Sequence, residues 1–190
     1  RRNEPVATDT FFSDTPAVDS GCKVAQIFVG LKTMVTDVYG IKTKDQFVNT
    51  LEDNIRERGA MDKLVSDKAT EETSGRVKDI LRYFTSQDWQ SKPYHEHQNP
   101  AERRYQTVLR YTNNVMNFSG APAFTWLLCI LYVVGVLNVL VCDAIGGGIP
   151  LQELTGQQQD ISLWVQFDFW EEVYFATPEA MSYHKTVTFP

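Results

Sequence analysis

Apolar and β-branched residues open the chain in three short runs. Residues 6–14, with Val6, Thr8, Phe11 and Phe12, read as a strand. Val24 to Val29, stopped by Gly30, reads as a second, and Met34 to Tyr39, stopped by Gly40, as a third. Asp14-Thr15-Pro16 and Asp19-Ser20-Gly21 supply turn chemistry between the first two, so the three form an antiparallel meander. The period then lengthens. Phe47, Val48, Leu51 and Ile55 recur at helical spacing, Thr43 and Gln46 stand as in a capping box, and Gly59 closes the helix. Lys63 to Ser66 is a short strand with Asp67 at its end. A helix separates it from the meander, so it adds in parallel. Val77, Ile80, Leu81 and Phe84 mark a second helix, and Asp88 to Lys92 a fifth strand. Asn99 to about Phe118 is a third helix. Ala101, Tyr105, Val108, Thr112 and Val115 share one face of it; Glu102, Gln106, Arg110 and Asn113 share another. The order β-β-β-α-β-α-β-α predicts an α/β domain, a mixed five-stranded sheet flanked by helices.

Residues 123–142 carry no charge over twenty positions. Length and hydropathy admit a transmembrane helix. Pro122 opens the run, Gly135 and Asn138 interrupt it, and basic flanks are missing, which favours a helix buried against the sheet. At 190 residues the chain is expected to form one domain, with residues 176–190 an extended tail. The three cysteines, Cys22, Cys129 and Cys142, have neither disulfide-framework nor zinc spacing and fit a reducing compartment. A polar N-terminus shows no signal peptide. Net charge of −6 argues against a general nucleic-acid coat, though not against a nuclease fold with clustered acids. The acids outside any site, Glu4, Asp14, Asp19, Asp37, Asp45 and Glu52 among them, read mostly as solvated surface.

Three carboxylates stand in distinctive contexts. Asp9 lies in Thr8-Asp9-Thr10-Phe11-Phe12, Asp67 follows Leu64-Val65-Ser66, and Glu102 opens a helix after Pro93-Tyr94 and Gln98-Asn99-Pro100-Ala101. Spacing alone is weak evidence: with 24 acids in the chain, roughly two or three pairs share the Asp67–Glu102 separation by chance. Each acid also has a plain alternative. Glu102 sits at N3 behind Asn99 and Pro100, a capping position; Asp67 could be a turn residue; Asp14 could stand in for Asp9, but precedes Thr15-Pro16 and reads as a turn. His95 and His97 lack a third ligand and read as a surface loop. Gly146-Gly147-Gly148 lacks the Walker and Rossmann patterns and reads as a turn.

Ser66-Asp67 after an apolar strand, then Pro93-Tyr94, Gln98-Asn99 and Ala101-Glu102-Arg103 before a helix, resembles the catalytic core of retroviral-type integrases, and most nearly that of copia-type LTR retrotransposons. Leu137-Asn138, Ile149-Pro150-Leu151, Leu154-Thr155-Gly156 and Asp160-Ile161-Ser162 resemble the segment that follows that core. Lys68-Ala69 departs from it, standing where the family usually carries Asn-Gly, and the approach to Glu102 is one residue shorter. The resemblance implies a ribonuclease H-like fold over about residues 8–175. It implies an integrase, a metal-dependent polynucleotidyl transferase and endonuclease that trims retrotransposon DNA 3′ ends and joins them to target DNA. Asp9, Asp67 and Glu102 would be both catalytic residues and metal ligands. Asp9 and Asp67 would hold one Mg²⁺ and Asp9 and Glu102 a second, with Mn²⁺ able to substitute. Lys68, Arg103, Arg104 and Arg110 are candidate phosphate contacts, and Tyr94, Gln98 and Asn99 would shape the loop over the site. Double-stranded DNA, a homodimer or higher multimer, no membrane association, and a nuclear site of action after a stage in cytoplasmic virus-like particles complete the expectation. The zinc module that precedes such cores is not in this chain, as expected of a fragment of a polyprotein. The alternative is a decayed domain of the same fold that binds nucleic acid or serves assembly without cleaving.

Overall fold

The computed structural model describes residues 2–66, 74–90, 100–162 and 166–173. Five strands form one sheet: β1 (Pro5–Phe12), β2 (Val24–Gly30), β3 (Thr36–Ile41), β4 (Lys63–Ser66) and β5 (Gln87–Gln90), in the order β3-β2-β1-β4-β5. β1, β2 and β3 are antiparallel neighbours, while β4 joins β1, and β5 joins β4, in parallel. Helices α1 (Phe47–Arg58) and α2 (Gly75–Tyr83) supply the crossovers. Then follow α3 (Pro100–Ser119), α4 (Trp126–Val139) and the short α5 (Pro150–Thr155). The predicted element order is the observed one.

Period-two alternation divides the core between the sheet faces. Ala7, Phe11, Ala25, Ile27, Val29, Val38 and Val65 pack with Ala101 and Val108 of α3 and with Trp126, Ile130 and Val133 of α4. Val6, Phe28 and Leu64 pack on the other side with Phe47, Leu51 and Ile55 of α1 and Val77 and Leu81 of α2. β2 is buried along its whole length, so even Gln26 must be satisfied internally. Its Nε2 donates to Thr8 Oγ1, and its Oε1 accepts from Thr10 Oγ1, both at 2.6 Å.

Several boundaries differ from the sequence reading for physical reasons. β3 starts at Thr36 because Met34 takes a left-handed φ of 60° in the β2–β3 turn. Gly40 does not stop β3 but lies within it. A Cβ there would meet Leu127 Cδ2 at 2.6 Å, so glycine is what lets α4 lie close on the sheet. The Thr43–Gln46 capping box is present, but it opens a 3₁₀ turn over Lys44–Gln46 that runs into α1. The uncharged run is a 3₁₀ turn and the fourteen-residue α4, buried along Trp126, Leu127, Cys129, Ile130, Val133 and Val134. Among the described residues no helix is long and apolar enough to cross a membrane.

Two acids read as surface are core residues. Glu4 is 1% exposed and paired with Arg2, and Asp37 is buried between Arg58 and Asn54. Solvated-surface logic fails for both because folding brings distant donors to each carboxylate, Lys32 and Thr33 to Glu4 and Asn54 and Arg58 to Asp37. Asn138 of α4 is also buried. Its Oδ1 accepts from the Thr36 N–H at 2.9 Å and its Nδ2 donates to the Thr36 carbonyl at 2.7 Å. Asn138→Leu keeps a similar shape and strands both backbone groups, each costing about 1–3 kcal/mol. The urea midpoint should fall with the slope unchanged; an unshifted midpoint would show that the two bonds contribute nothing.

Candidate active site

Asp9 lies in the middle of β1, opposite Ile27 of β2. Alternation places its half-buried side chain on the face of Ala7 and Phe11, under α3. Oδ1 accepts from the Thr10 N–H at 2.8 Å. Two residues on, the Phe11 ring stacks on Tyr105 of α3, with centroids 4.6 Å apart. The Tyr105 hydroxyl titrates above its ordinary value, first because it is buried and then because the Asp9 charge opposes a second anion. The Asp9 charge is thus felt on α3 at Tyr105. Glu102 stands one turn earlier on that helix, about 60° around its axis from Tyr105. It is half-buried, and Gln106 Nε2 donates to its Oε1 at 3.4 Å. Its first-turn position also suits the positive end of the helix dipole. Asp14, by contrast, is exposed beyond the end of β1.

Asp9 thus shares the α3 face of the sheet with the turn that carries Glu102. Asp67, with Lys68, Tyr94, Gln98 and Asn99, lies outside the described residues. The last described residue of β4, Ser66, is fully buried, and its Oγ has no hydrogen-bond partner among the described residues. β4 runs parallel to β1, with Val65 paired to Ala7, two residues before Asp9. Among the described residues no three His, Cys, Asp or Glu side chains gather as a metal site. The donor chemistry on offer is carboxylate, which suits a hard divalent cation.

The three arginines of α3 have different fates. Arg103 and Arg110 are exposed on the outer side, Arg110 with its guanidinium 5.3 Å from the Tyr111 ring centroid. Arg104, also expected to contact phosphate, is buried. It falls three residues after Ala101 and four before Val108, on the inward stripe, and is 7% exposed. Its Nε donates to Thr36 Oγ1 at 2.9 Å. Burial draws the guanidinium below its usual value, with Cys142 acting in the opposite sense. Tyr105 is the residue missed. Its signal was available: it is three residues after Glu102, and its aromatic partner Phe11 is two after Asp9.

The fold is that of retroviral integrase catalytic cores, ribonuclease H-like, with the mixed five-stranded sheet between helices. The HTLV-2 integrase catalytic core domain in complex with magnesium, in its trimeric form, superposes with a TM-score of 0.63 at 13% identity, covering 80% of this chain and 96% of that one. The catalytic core of BIV integrase gives 0.57 at 15% identity, over 81% and 95%. A chain of the simian T-cell lymphotropic virus intasome, in complex with a PP2A regulatory subunit, gives 0.67 at 10% identity, over 83% of this chain and 56% of that one. No protein-family model matches the chain, and no curated protein sequence matches it significantly.

Proposed function

We propose that this chain is an integrase catalytic core that trims the 3′ ends of retrotransposon DNA and joins them to target DNA. The observation that carries the reading is the packing of α3 on the Asp9 face of the central strand: Phe11, two residues after Asp9, stacks on Tyr105, three residues after Glu102. Asp9, Asp67 and Glu102 would hold two Mg²⁺ ions, with Mn²⁺ able to substitute. Held there, the ions would supply charge for activating the attacking oxygen and stabilising the leaving one. The chain's own residues do the positioning. The Phe11–Tyr105 stack fixes the wall beside the Asp9 carboxylate, and Gln106 steadies Glu102. Arg103 and Arg110, exposed on α3, meet the DNA backbone and carry little sequence information. Lys68, Tyr94, Gln98 and Asn99 belong to the same proposed surface. The HTLV-2 core in trimeric and dimeric forms supports a multimer. Leu128 and Leu131, both part-exposed on α4, leave apolar area for a second copy. The copia-type origin, and a nuclear site of action following a stage in cytoplasmic virus-like particles, rest on the sequence resemblance.

A disintegration assay tests the reading. The chain is given a branched DNA that mimics the joined product, with Mg²⁺, with Mn²⁺, or with chelator. Metal-dependent resealing, lost in Glu102→Gln, is the expected result; glutamine is nearly isosteric but offers no anion to the metal. Resealing absent from a folded wild-type chain that still binds DNA would favour the second reading, a decayed binding or assembly module. Lys68-Ala69, in place of the Asn-Gly of similar cores, is the observation behind that alternative.

A further inference from the structure

Gln26 is fully buried in β2, a strand otherwise made of apolar residues and glycine. By alternation it faces α1, as Phe28 does, and meets Thr8 and Thr10, which share that face of β1 with Val6. Asp9, between the two threonines, points to the opposite face. The bonds among these residues have one consistent direction. Thr8 Oγ1 donates to the Ile27 carbonyl at 2.9 Å, so its oxygen accepts from Gln26 Nε2 at 2.6 Å. This turns Gln26 Oε1 toward Thr10, whose hydroxyl donates to it at 2.6 Å. The Thr10 N–H donates in turn to Asp9 Oδ1 at 2.8 Å. Ile27, where the chain of bonds begins, is the β2 residue opposite Asp9. The bonds therefore start across from Asp9, pass behind it through both of its neighbours, and end on its carboxylate. They act where the strand has least other support. Pairing of β1 with β4 ends at Ala7, so among the described residues β2 is the only strand paired with Asp9 and Thr10. Packing alone does not call for such a network: apolar side chains at positions 8, 10 and 26 would fill the space at little cost, because removing both partners of a buried hydrogen bond is nearly neutral.

We propose that Gln26 is a positioning residue: through Thr10 it holds the Asp9 carboxylate in the orientation that takes a divalent metal ion. The inference rests on the reading of Asp9 as a metal ligand. Gln26 lies on the other face of the sheet and acts only through the Thr10 hydroxyl and the backbone that follows it. Partners that orient a metal ligand are worth about 10–100-fold in metal affinity, and the effect of Gln26 falls at the lower end of that range because one residue stands between it and the carboxylate.

The test measures Mn²⁺ binding to the full chain by titration calorimetry, and resealing of branched DNA across a range of Mn²⁺ concentrations. Wild type is compared with Gln26→Met, Thr10→Val and Asp9→Asn. Methionine keeps the length of Gln26 without its donor or acceptor. Valine keeps the shape of Thr10 and the N–H that serves Asp9, and removes only the hydroxyl. Both variants are expected to bind Mn²⁺ about tenfold more weakly, and to reseal at close to the wild-type rate once Mn²⁺ is saturating. Asp9→Asn defines the binding that does not involve Asp9. A merely structural role would lower the melting temperature and leave the Mn²⁺ constant unchanged, and that result overturns the proposal. Mn²⁺ binding that is the same in wild type and Asp9→Asn overturns it too. If Gln26→Met does not fold, Thr10→Val decides, since Thr10 is only part-buried. A wild type that binds Mn²⁺ through Asp9 yet reseals nothing ends the integrase reading alone; the binding constants of the variants still decide the role of Gln26.

Discussion

Asp9→Asn is expected to remove metal-dependent resealing of branched DNA, while Asp14→Asn leaves it intact. The two acids are five residues apart and differ in setting. Asp9 is inside β1 on the α3 face, beside Tyr105, whereas Asp14 is exposed beyond the strand's end. Asparagine keeps the oxygen that accepts from the Thr10 N–H, so the strand should hold, with stability within about 0.5 kcal/mol of wild type. What it removes is the anion. Losing a mere supporting partner of a metal ligand costs about 10–100-fold, so a true ligand should cost more than ~100-fold at saturating Mn²⁺. Equal rates for Asp9→Asn and wild type, with both folded, would remove Asp9 from the site; a collapse in Asp14→Asn alone would transfer the role to it.

Glu4→Gln is expected to be the most destabilising conservative change in the molecule. Both Glu4 oxygens are committed: Arg2 Nε and Thr33 Oγ1 donate to one, and the Lys32 and Thr33 N–H groups, each at 3.0 Å, to the other. Glutamine puts an NH₂ against one of these donor sets and leaves the Arg2 guanidinium buried without its counterion. Breaking a buried pair from one side costs about 3–5 kcal/mol, read as a drop in the urea midpoint at neutral pH. The same cluster sets an acid limit. Burial alone would raise the Glu4 pKa, but the Thr33 and Lys32 N–H groups and Arg2 outweigh it, and the folded value lies below the ordinary 4.5. A carboxylate depressed in the folded state contributes stability that is complete above the unfolded value and is lost as pH falls through the folded one. The gap between wild type and Glu4→Gln should therefore narrow below about pH 4.5. A gap constant with pH would show that this carboxylate is not the titrating group.

The element order was legible because each strand and helix carries its own period, and the Lys63–Ser66 strand was found to the residue. Asp9 and Glu102 were placed on converging elements by the same means. What was illegible depends on residues far along the chain. Gly40 reads locally as a strand breaker, and only the approach of Leu127 explains it as a strand residue. Glu4 and Asp37 read as surface because their partners, Arg2 with Thr33 and Arg58 with Asn54, are assembled by folding. Arg104 shows what helix phase adds: counted from Ala101 and Val108, it falls on the inward stripe, whereas Arg103 faces outward.

Asn138 has a bearing on what the sheet can do beyond its own boundary. β3 is an outer strand, and outer strands present bare N–H and C=O groups that another chain can pair with, extending the sheet from molecule to molecule. The carboxamide of Asn138 offers Thr36 one acceptor and one donor, as a passing strand would, and thereby occupies that position. α4 acts at Thr36 as a counterfeit sixth strand, one side chain long, with the pairing pattern of a neighbour and no edge of its own to pass on.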